Sequence, residues 1–188
     1  MATLDGMALP VVRMQVMTER LRLRPWRDED RDPYAALVAD PVVMEHFPAV
    51  MTRAESDAMI DRLMADFERD GWGLWAAERK DTGEFIGFIG LHQLAPTLPI
   101  APGVEVGWRL AAKHWGQGFA TEGAHAALAF GFNQLRLPEI VAFTDPANQR
   151  SQRVMGKLGM TRDPSRDFDH PRGGRAIVHR IERPTPRP

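Results

Sequence analysis

Val104-Glu105-Val106-Gly107-Trp108-Arg109-Leu110 is followed, after the five residues Ala111 to Trp115, by Gly116-Gln117-Gly118-Phe119-Ala120-Thr121-Glu122. The first run reads as a strand, and the second is a small-residue turn that opens a helix. At such a turn the first backbone N–H groups lack an intrahelical partner and point outward with the positive end of the helix dipole. That makes an anion site suited to a pyrophosphate, and glycines let phosphates approach the main chain. The plainer reading is a structural helix start. Two nucleotide patterns fail here. No Gly-Lys-Ser/Thr follows, so this is not a P-loop. The sixth position of a dinucleotide fingerprint is Thr121 rather than glycine, and the turn does not follow its strand directly. Glu139, the acidic residue about 20 positions on, begins a strand instead of ending one.

Around this stretch lies a chain of 188 residues, 44% hydrophobic and 26% charged, which fits one soluble globular domain. Twenty-four basic against 25 acidic side chains give a net charge of −1, so global charge supplies no attraction to nucleic acid. The chain has no cysteine, which excludes disulfides, thiolate metal sites and a Cys nucleophile. Neither a signal peptide nor an apolar run near the roughly 18 residues of a spanning helix is present. These features predict a cytoplasmic protein without a membrane partner. Residues 1–15 read as a disordered extension, 16–183 as a single domain and 184–188 as a proline-rich tail.

Within the domain, Leu21, Leu23 and Pro25 alternate with Arg20, Arg22 and Arg24, predicting a strand with one apolar and one charged face. Asp28 is placed to cap a helix through Val38. Thr52 and Glu55 have capping-box spacing ahead of a stripe of Met59, Ile60, Leu63, Met64 and Phe67, ending before Gly71. Strands are expected over Gly73 to Arg79 and Glu84 to Leu91, joined by a turn at Lys80 to Gly83. After the strand at Val104 come a helix from about Gly116 to Leu135, a strand from Glu139 to Thr144 and a helix from Ala147 to Leu158. A strand start at Met160 to Arg162, a polar loop from Asp163 to Gly174 and a strand from Ala176 to Glu182 complete a mixed α/β sheet.

A second cluster, Asn148-Gln149-Arg150-Ser151, opens the helix that carries Val154, Met155 and Leu158. Asn148 suits an N-cap. Ser151 shares the helix face of those apolar residues, where a hydroxyl invites a specific task.

Taken with Thr18-Glu19-Arg20-Leu21-Arg22-Leu23-Arg24-Pro25, Phe85 to Leu91, Glu105 to Trp108, Trp115 to Glu122 and Asn148 to Met160, the chain resembles the GNAT (GCN5-related N-acetyltransferase) superfamily. Within it, the chain resembles the branch of ribosomal-protein N-terminal acetyltransferases. The resemblance implies an α+β fold with a seven-stranded, mostly antiparallel sheet and about four helices. Two neighbouring strands, Val104 to Leu110 and Glu139 to Thr144, would splay to admit acetyl-CoA. Backbone groups of Trp108, Arg109 and Leu110 would pair with the pantetheine arm. The amides of Gly116, Gln117, Gly118, Phe119, Ala120 and Thr121 would hold the pyrophosphate, and Asn148 would contact the pantetheine. Trp115 stands where the family usually has Arg or Gln.

Acetyl transfer requires an amine that loses its proton, donors for an oxyanion, and a stabilised or protonated thiolate. Without cysteine a covalent thioester relay is closed, so direct attack in a ternary complex is expected. Glu105, facing opposite to Val104 and Val106, is the candidate base, acting through a water, with His92 a lesser candidate. The family's usual tyrosine acid has no counterpart, since the only tyrosine is Tyr34 in the first helix. Ser151 is the matching polar position and is read as a donor to the CoA sulfur. A backbone N–H near Trp108 or Arg109 is the expected oxyanion donor. No metal is expected, because the histidines lack ligand spacing. Trp26, Trp72, Trp75 and Trp108 read as core.

The reading is an acetyl-CoA-dependent N-acetyltransferase acting on a protein N-terminus or a small amine, with a homodimer left open. A catalytically silent acyl-CoA-binding module is the alternative, and a nucleotide-binding oxidoreductase a third class.

Overall fold

The structure, a computed structural model, describes residues 14–171 and 173–184. Most of the expected N-terminal extension and C-terminal tail therefore lies outside the described residues. Met14, within that extension, is tied down: its N–H donates to Gly71 O at 2.9 Å and its carbonyl accepts from Trp75 Nε1 at 2.8 Å.

Nine strands run β1 (Val16–Met17), β2 (Leu21–Arg24), β3 (Leu74–Arg79), β4 (Phe85–Gln93), β5 (Val104–Leu110), β6 (Glu139–Thr144), β7 (Thr161–Arg162), β8 (Phe168–Asp169) and β9 (Arg175–Glu182). Their order is β1-β2-β3-β4-β5-β6-β9-β7, with β8 also on β9. Every pairing is antiparallel except β5 with β6. The strand number exceeds the expected seven because three two-residue pairings, β1, β7 and β8, add to six longer strands. Among the described residues four α-helices complete the fold: α1 (Arg31–Val38), α2 (Arg53–Asp70), α3 (Phe119–Asn133) and α4 (Gln149–Lys157).

Local chemistry explains most boundaries. Thr52 Oγ1 accepts from Glu55 N–H while Glu55 Oε2 accepts from Thr52 N–H, the expected reciprocal capping box of α2. Gly71, at φ 76°, ends that helix in the left-handed conformation glycine tolerates. Asp28 does not cap α1. A 3-10 turn over Asp28–Asp30 comes first, and Asp30 Oδ2 accepts from Arg27 N–H instead. The expected polar loop also differs, because it carries β8 and buries Phe168 against Phe143, ring centroids 5.4 Å apart.

The supposedly charged face of β2 is partly interior. Arg24 is buried with Asp30, which it meets through two hydrogen bonds of 2.7 and 2.8 Å, and with Glu78 at 2.7 Å. Removing one partner of a buried ionic cluster strands the others without water. Arg24→Ala is therefore expected to lose about 3 kcal/mol or more of unfolding free energy in a urea titration. A loss below about 1 kcal/mol would show that the cluster is not what holds β2 to β3.

The two sheet faces have different partners. Phe88 of β4 packs toward Tyr34 of α1, while its neighbour Ile89 lies under α3, against Gly123. Adjacent strand residues point to opposite faces, so α1 covers one face and α3 the other. β5 inherits this division through its register with β4, in which Arg109 lies opposite Phe88, Trp108 opposite Ile89 and Glu105 opposite His92. Glu105, Gly107 and Arg109 thus look toward the α1 face, and Val106, Trp108 and Leu110 toward α3.

Candidate active site

Between β5 and β6 the sheet opens. β5 pairs along seven residues with β4, yet its parallel register with β6 is a single pair, Glu105 with Val141. Beyond that vertex the strands diverge, leaving one edge of β5 without a strand partner. A cavity of about 710 Å³ fills the gap and passes from one face of the sheet to the other.

The predicted residues assemble around this cavity. Trp108, Arg109 and Leu110 line it from β5, with Glu105 at the vertex. Gly116, Gly118, Phe119, Ala120 and Thr121 line it from the turn and first turn of α3, and Asn148 and Ser151 from the start of α4. Gln117 does not line it. Its side chain donates to Lys113 O at 3.0 Å, and its carbonyl accepts from Arg20 Nη1 at 2.9 Å. Of the tryptophans read as core, Trp26 and Trp75 are buried, whereas Trp108 is half-buried in the cavity wall.

Backbone conformation makes the glycine turn. Gly116 and Gly118 have φ of 75° and 85°, a region that costs other residues roughly 1–2 kcal/mol. A Cβ on Gly116 would meet nothing within 4 Å, so its main chain is open to a close-lying ligand. Glu122 N–H closes on Gly118 O at 3.0 Å, and the amides before it in the first turn have no intrahelical acceptor.

The motif around Thr18 and Arg20 braces this turn from behind. Glu122 Oε1 accepts from Thr18 Oγ1 at 2.5 Å and from Arg20 N–H at 2.8 Å, while Oε2 accepts from Arg20 Nε at 2.6 Å. The Arg20 guanidinium also lies over the Phe119 ring at 4.6 Å. Burial alone would raise the Glu122 carboxyl, but these hydrogen bonds outweigh it and hold it below the usual range. A depressed carboxyl stabilises the fold above its unfolded value and loses that contribution as pH falls through the folded one. Glu122→Ala is expected to weaken coenzyme A binding roughly tenfold without touching the ligand, seen as a shifted Kd in calorimetry. An unchanged Kd would remove the brace from the account.

Trp115 pins the connection between β5 and the glycine turn from the cavity wall. Its Nε1 donates to Leu110 O at 2.8 Å, and the Arg150 guanidinium lies 4.8 Å above its ring. Asn148 is the N-cap, its Oδ1 accepting Ser151 N–H at 3.0 Å. The Asn148 amide NH₂ remains able to donate elsewhere. Tyr34 is fully buried and its phenol raised by that burial, so no tyrosine acid is offered to the cavity.

Three arrangements at the site escaped the sequence. First, Glu105 and His92 are neighbours, with Oε1 to Nδ1 3.5 Å, and Asp66 Oδ2 of α2 stands 3.5 Å from His92 Nε2. Glu105 foremost, with Asp66 behind it, holds the imidazole above its ordinary value against the effect of burial. Second, the Arg109 side chain turns to the α1 face, 4.0 Å from the Phe47 ring centroid, with Nη1 3.4 Å from Tyr34 Oη. Third, His114 is buried in the cavity wall beside Phe119, its Nε2 3.4 Å from Glu84 Oε1. Register and tertiary packing create all three; Glu105, His92 and Arg109 were singled out in the sequence, but their partners Asp66, Phe47 and Tyr34, and the burial of His114, were not. Among the described residues no group of three or more His, Asp or Glu is placed to hold a metal ion, and no helix is long and apolar enough to cross a membrane.

Comparison with known proteins shows which family this opened α+β sheet with its glycine turn belongs to. The family model described as Acetyltransferase (GNAT) domain matches residues 20–161. The chain is 33% identical over 150 residues to the uncharacterized N-acetyltransferase YoaA of Bacillus subtilis, covering 78% of this chain and 82% of that protein. A solved acetyltransferase of Agrobacterium tumefaciens superposes with a TM-score of 0.79 at 29% identity, over 95% of this chain and 99% of the other. The ribosomal-protein-S5-alanine acetyltransferase of Vibrio fischeri shares the fold, with a TM-score of 0.72 at 16% identity over 93% and 100%. The chain belongs to the GNAT acetyltransferase family and is an N-acetyltransferase of that family, whose enzymes use acetyl-CoA.

Proposed function

We propose that this chain moves the acetyl group of acetyl-CoA to a primary amine, a protein N-terminus or a small amine, by direct attack in a ternary complex. The observation that carries the reading is the single β5–β6 pair, beyond which the open edge of β5 leads into the glycine turn of α3. The coenzyme fits what is present: an unpaired strand edge for an amide-bearing arm, and free helix amides with no Cβ in the way for linked phosphates. Bound there, acetyl-CoA supplies the activated acyl carbon.

The chain's own residues then divide the work. Main-chain groups of Trp108 to Leu110 hold the pantetheine arm, with the Asn148 amide across the gap. Amides of Gly116 to Thr121 hold the pyrophosphate, and a main-chain N–H at Trp108 or Arg109 donates to the oxyanion. Glu105 accepts the ammonium proton through a water. An α-amino group, with a pKa of about 8, needs less help than a lysine near 10.4. Ser151 donates to the departing sulfur.

Release of free thiol from acetyl-CoA across a panel of amines tests the whole reading. Saturable coenzyme A binding with no turnover on any amine would leave a silent binding module instead. Ser151→Ala separates chemistry from capping, because Asn148 retains the cap. Transfer is expected to slow roughly tenfold or more with coenzyme A affinity kept. If neither changes, the hydroxyl has no part in sulfur release.

A further inference from the structure

On the α1 face, the cavity is walled by the loop between α1 and α2, the loop between β4 and β5, and the end of β6. Val42, Phe47, Met59, Leu98 and Phe143 contribute its apolar surface. Val42 and Phe47 remain 50% and 40% exposed, so together with the other apolar lining residues they present an apolar surface to the cavity.

Charge along the same wall is one-sided. Among the described residues the carboxylates lining the cavity are Glu105 and Asp145. Glu105 is engaged with His92, and Asp145 Oδ1 accepts Ala147 N–H at 2.7 Å to shape the turn after β6. Glu45, on the α1–α2 loop, is engaged by Arg150 at 3.4 Å. Against these stand Arg109 on the floor and Arg175, paired with Asp169, at the far side. A second cation on an acceptor would find, among the carboxylates lining the cavity, only Asp145 without a basic partner, and would face the guanidinium groups of Arg109 and Arg175 in a partly desolvated cleft.

Building on the acetyl-transfer reading above, we propose that the acceptor is a primary amine carrying an apolar body and no second cationic group, seated against Val42, Phe47, Met59 and Leu98. The amine nitrogen forms a C–N bond to the acetyl carbon as the thioester C–S bond breaks. The ammonium proton passes to Glu105 and on to solvent, the attacking nitrogen gives up its second proton as the amide forms, and the departing thiolate takes up one proton relayed from water through the Ser151 hydroxyl, leaving an amide and free coenzyme A. An apolar body gains from leaving water along the wall, whereas a polyamine or an aminoglycoside would desolvate several charges with at most Asp145 there to compensate one of them.

Thiol release by the full chain would be measured with phenethylamine, an amidated Leu-first tripeptide, spermidine and kanamycin. The kcat/KM for at least one apolar amine is expected to exceed that for either polycation by roughly tenfold or more. The tripeptide against phenethylamine distinguishes a peptide source from a small-molecule one, and turnover of either supports the proposal. Polycations used as well as, or better than, both apolar amines would overturn it while leaving acetyl transfer standing. No thiol release with any of the four, in a chain that binds coenzyme A, would overturn acetyl transfer and this proposal together. Val42→Asp, at a half-exposed position that does not threaten folding, adds a carboxylate to the wall. It is expected to move the phenethylamine-to-spermidine ratio toward spermidine by roughly fivefold or more. An unchanged ratio would show that this wall does not contact the acceptor.

Discussion

Gly116→Asp is expected to give a folded chain whose coenzyme A affinity falls by at least roughly a hundredfold, or about 2.7 kcal/mol. Two effects add. At φ 75° a non-glycine residue is strained, by roughly 1–2 kcal/mol, so the turn shifts and its amides lose their common aim. The new carboxylate projects into the open space beside the main chain, where it repels phosphates. Gly116→Ala isolates the strain and should fall between the variant and the parent. Gly118→Asp is a weaker test than it looks. A Cβ there would lie 3.3 Å from Arg20 Nη2, and the carboxylate would find a guanidinium rather than a phosphate. Calorimetric titration with coenzyme A checks the series, alongside a thermal melt for folding. Wild-type affinity in Gly116→Asp would place the pyrophosphate elsewhere.

Glu105→Gln is expected to lower kcat/KM by roughly 10²-fold or more, with the deficit widening as pH falls. At lower pH less of the amine is neutral, so removal of its proton depends more on a positioned base. The structure adds an independent signature. Glu105 is the foremost cause of the raised His92 value, so in Glu105→Gln the imidazole midpoint should move back toward about 6.5, followed by NMR. A raised histidine stabilises the fold fully below its unfolded value and loses that contribution as pH rises through the folded one. The variant should therefore show less pH dependence of stability from about 6.5 upward. A parallel pH–rate profile in variant and parent, together with an unmoved His92, would take Glu105 out of the mechanism. An unmoved rate with a shifted His92 would keep the pairing and discard the base.

Much of the molecule was legible because its decisive features are local. A small-residue turn that opens a helix at Gly116 to Phe119 and a capping box at Thr52 each depend on a few successive residues. Backbone contacts also tolerate an altered side chain, so Trp115 did not obscure the pattern. The misreadings were places where a local rule met a distant partner. Arg24 belongs to a charged face by alternation, yet Asp30 and Glu78 draw it inside. Phe168 sits in a polar stretch, yet pairing with β9 buries it.

By itself the sequence determined a mixed sheet with four helices, a glycine turn opening α3, a chain without cysteine, and the family its motifs resemble. Only the tertiary structure decided that His92 lies beside Glu105, that Arg109 turns to the α1 face toward Phe47, and that Arg20 and Glu122 brace the turn. The difference is one of range. Main-chain geometry is set by neighbours along the chain, whereas the meeting of side chains from β4, β5 and α2 waits on strand register. A slip of one residue in that register would send each of those side chains to the opposite face of the sheet.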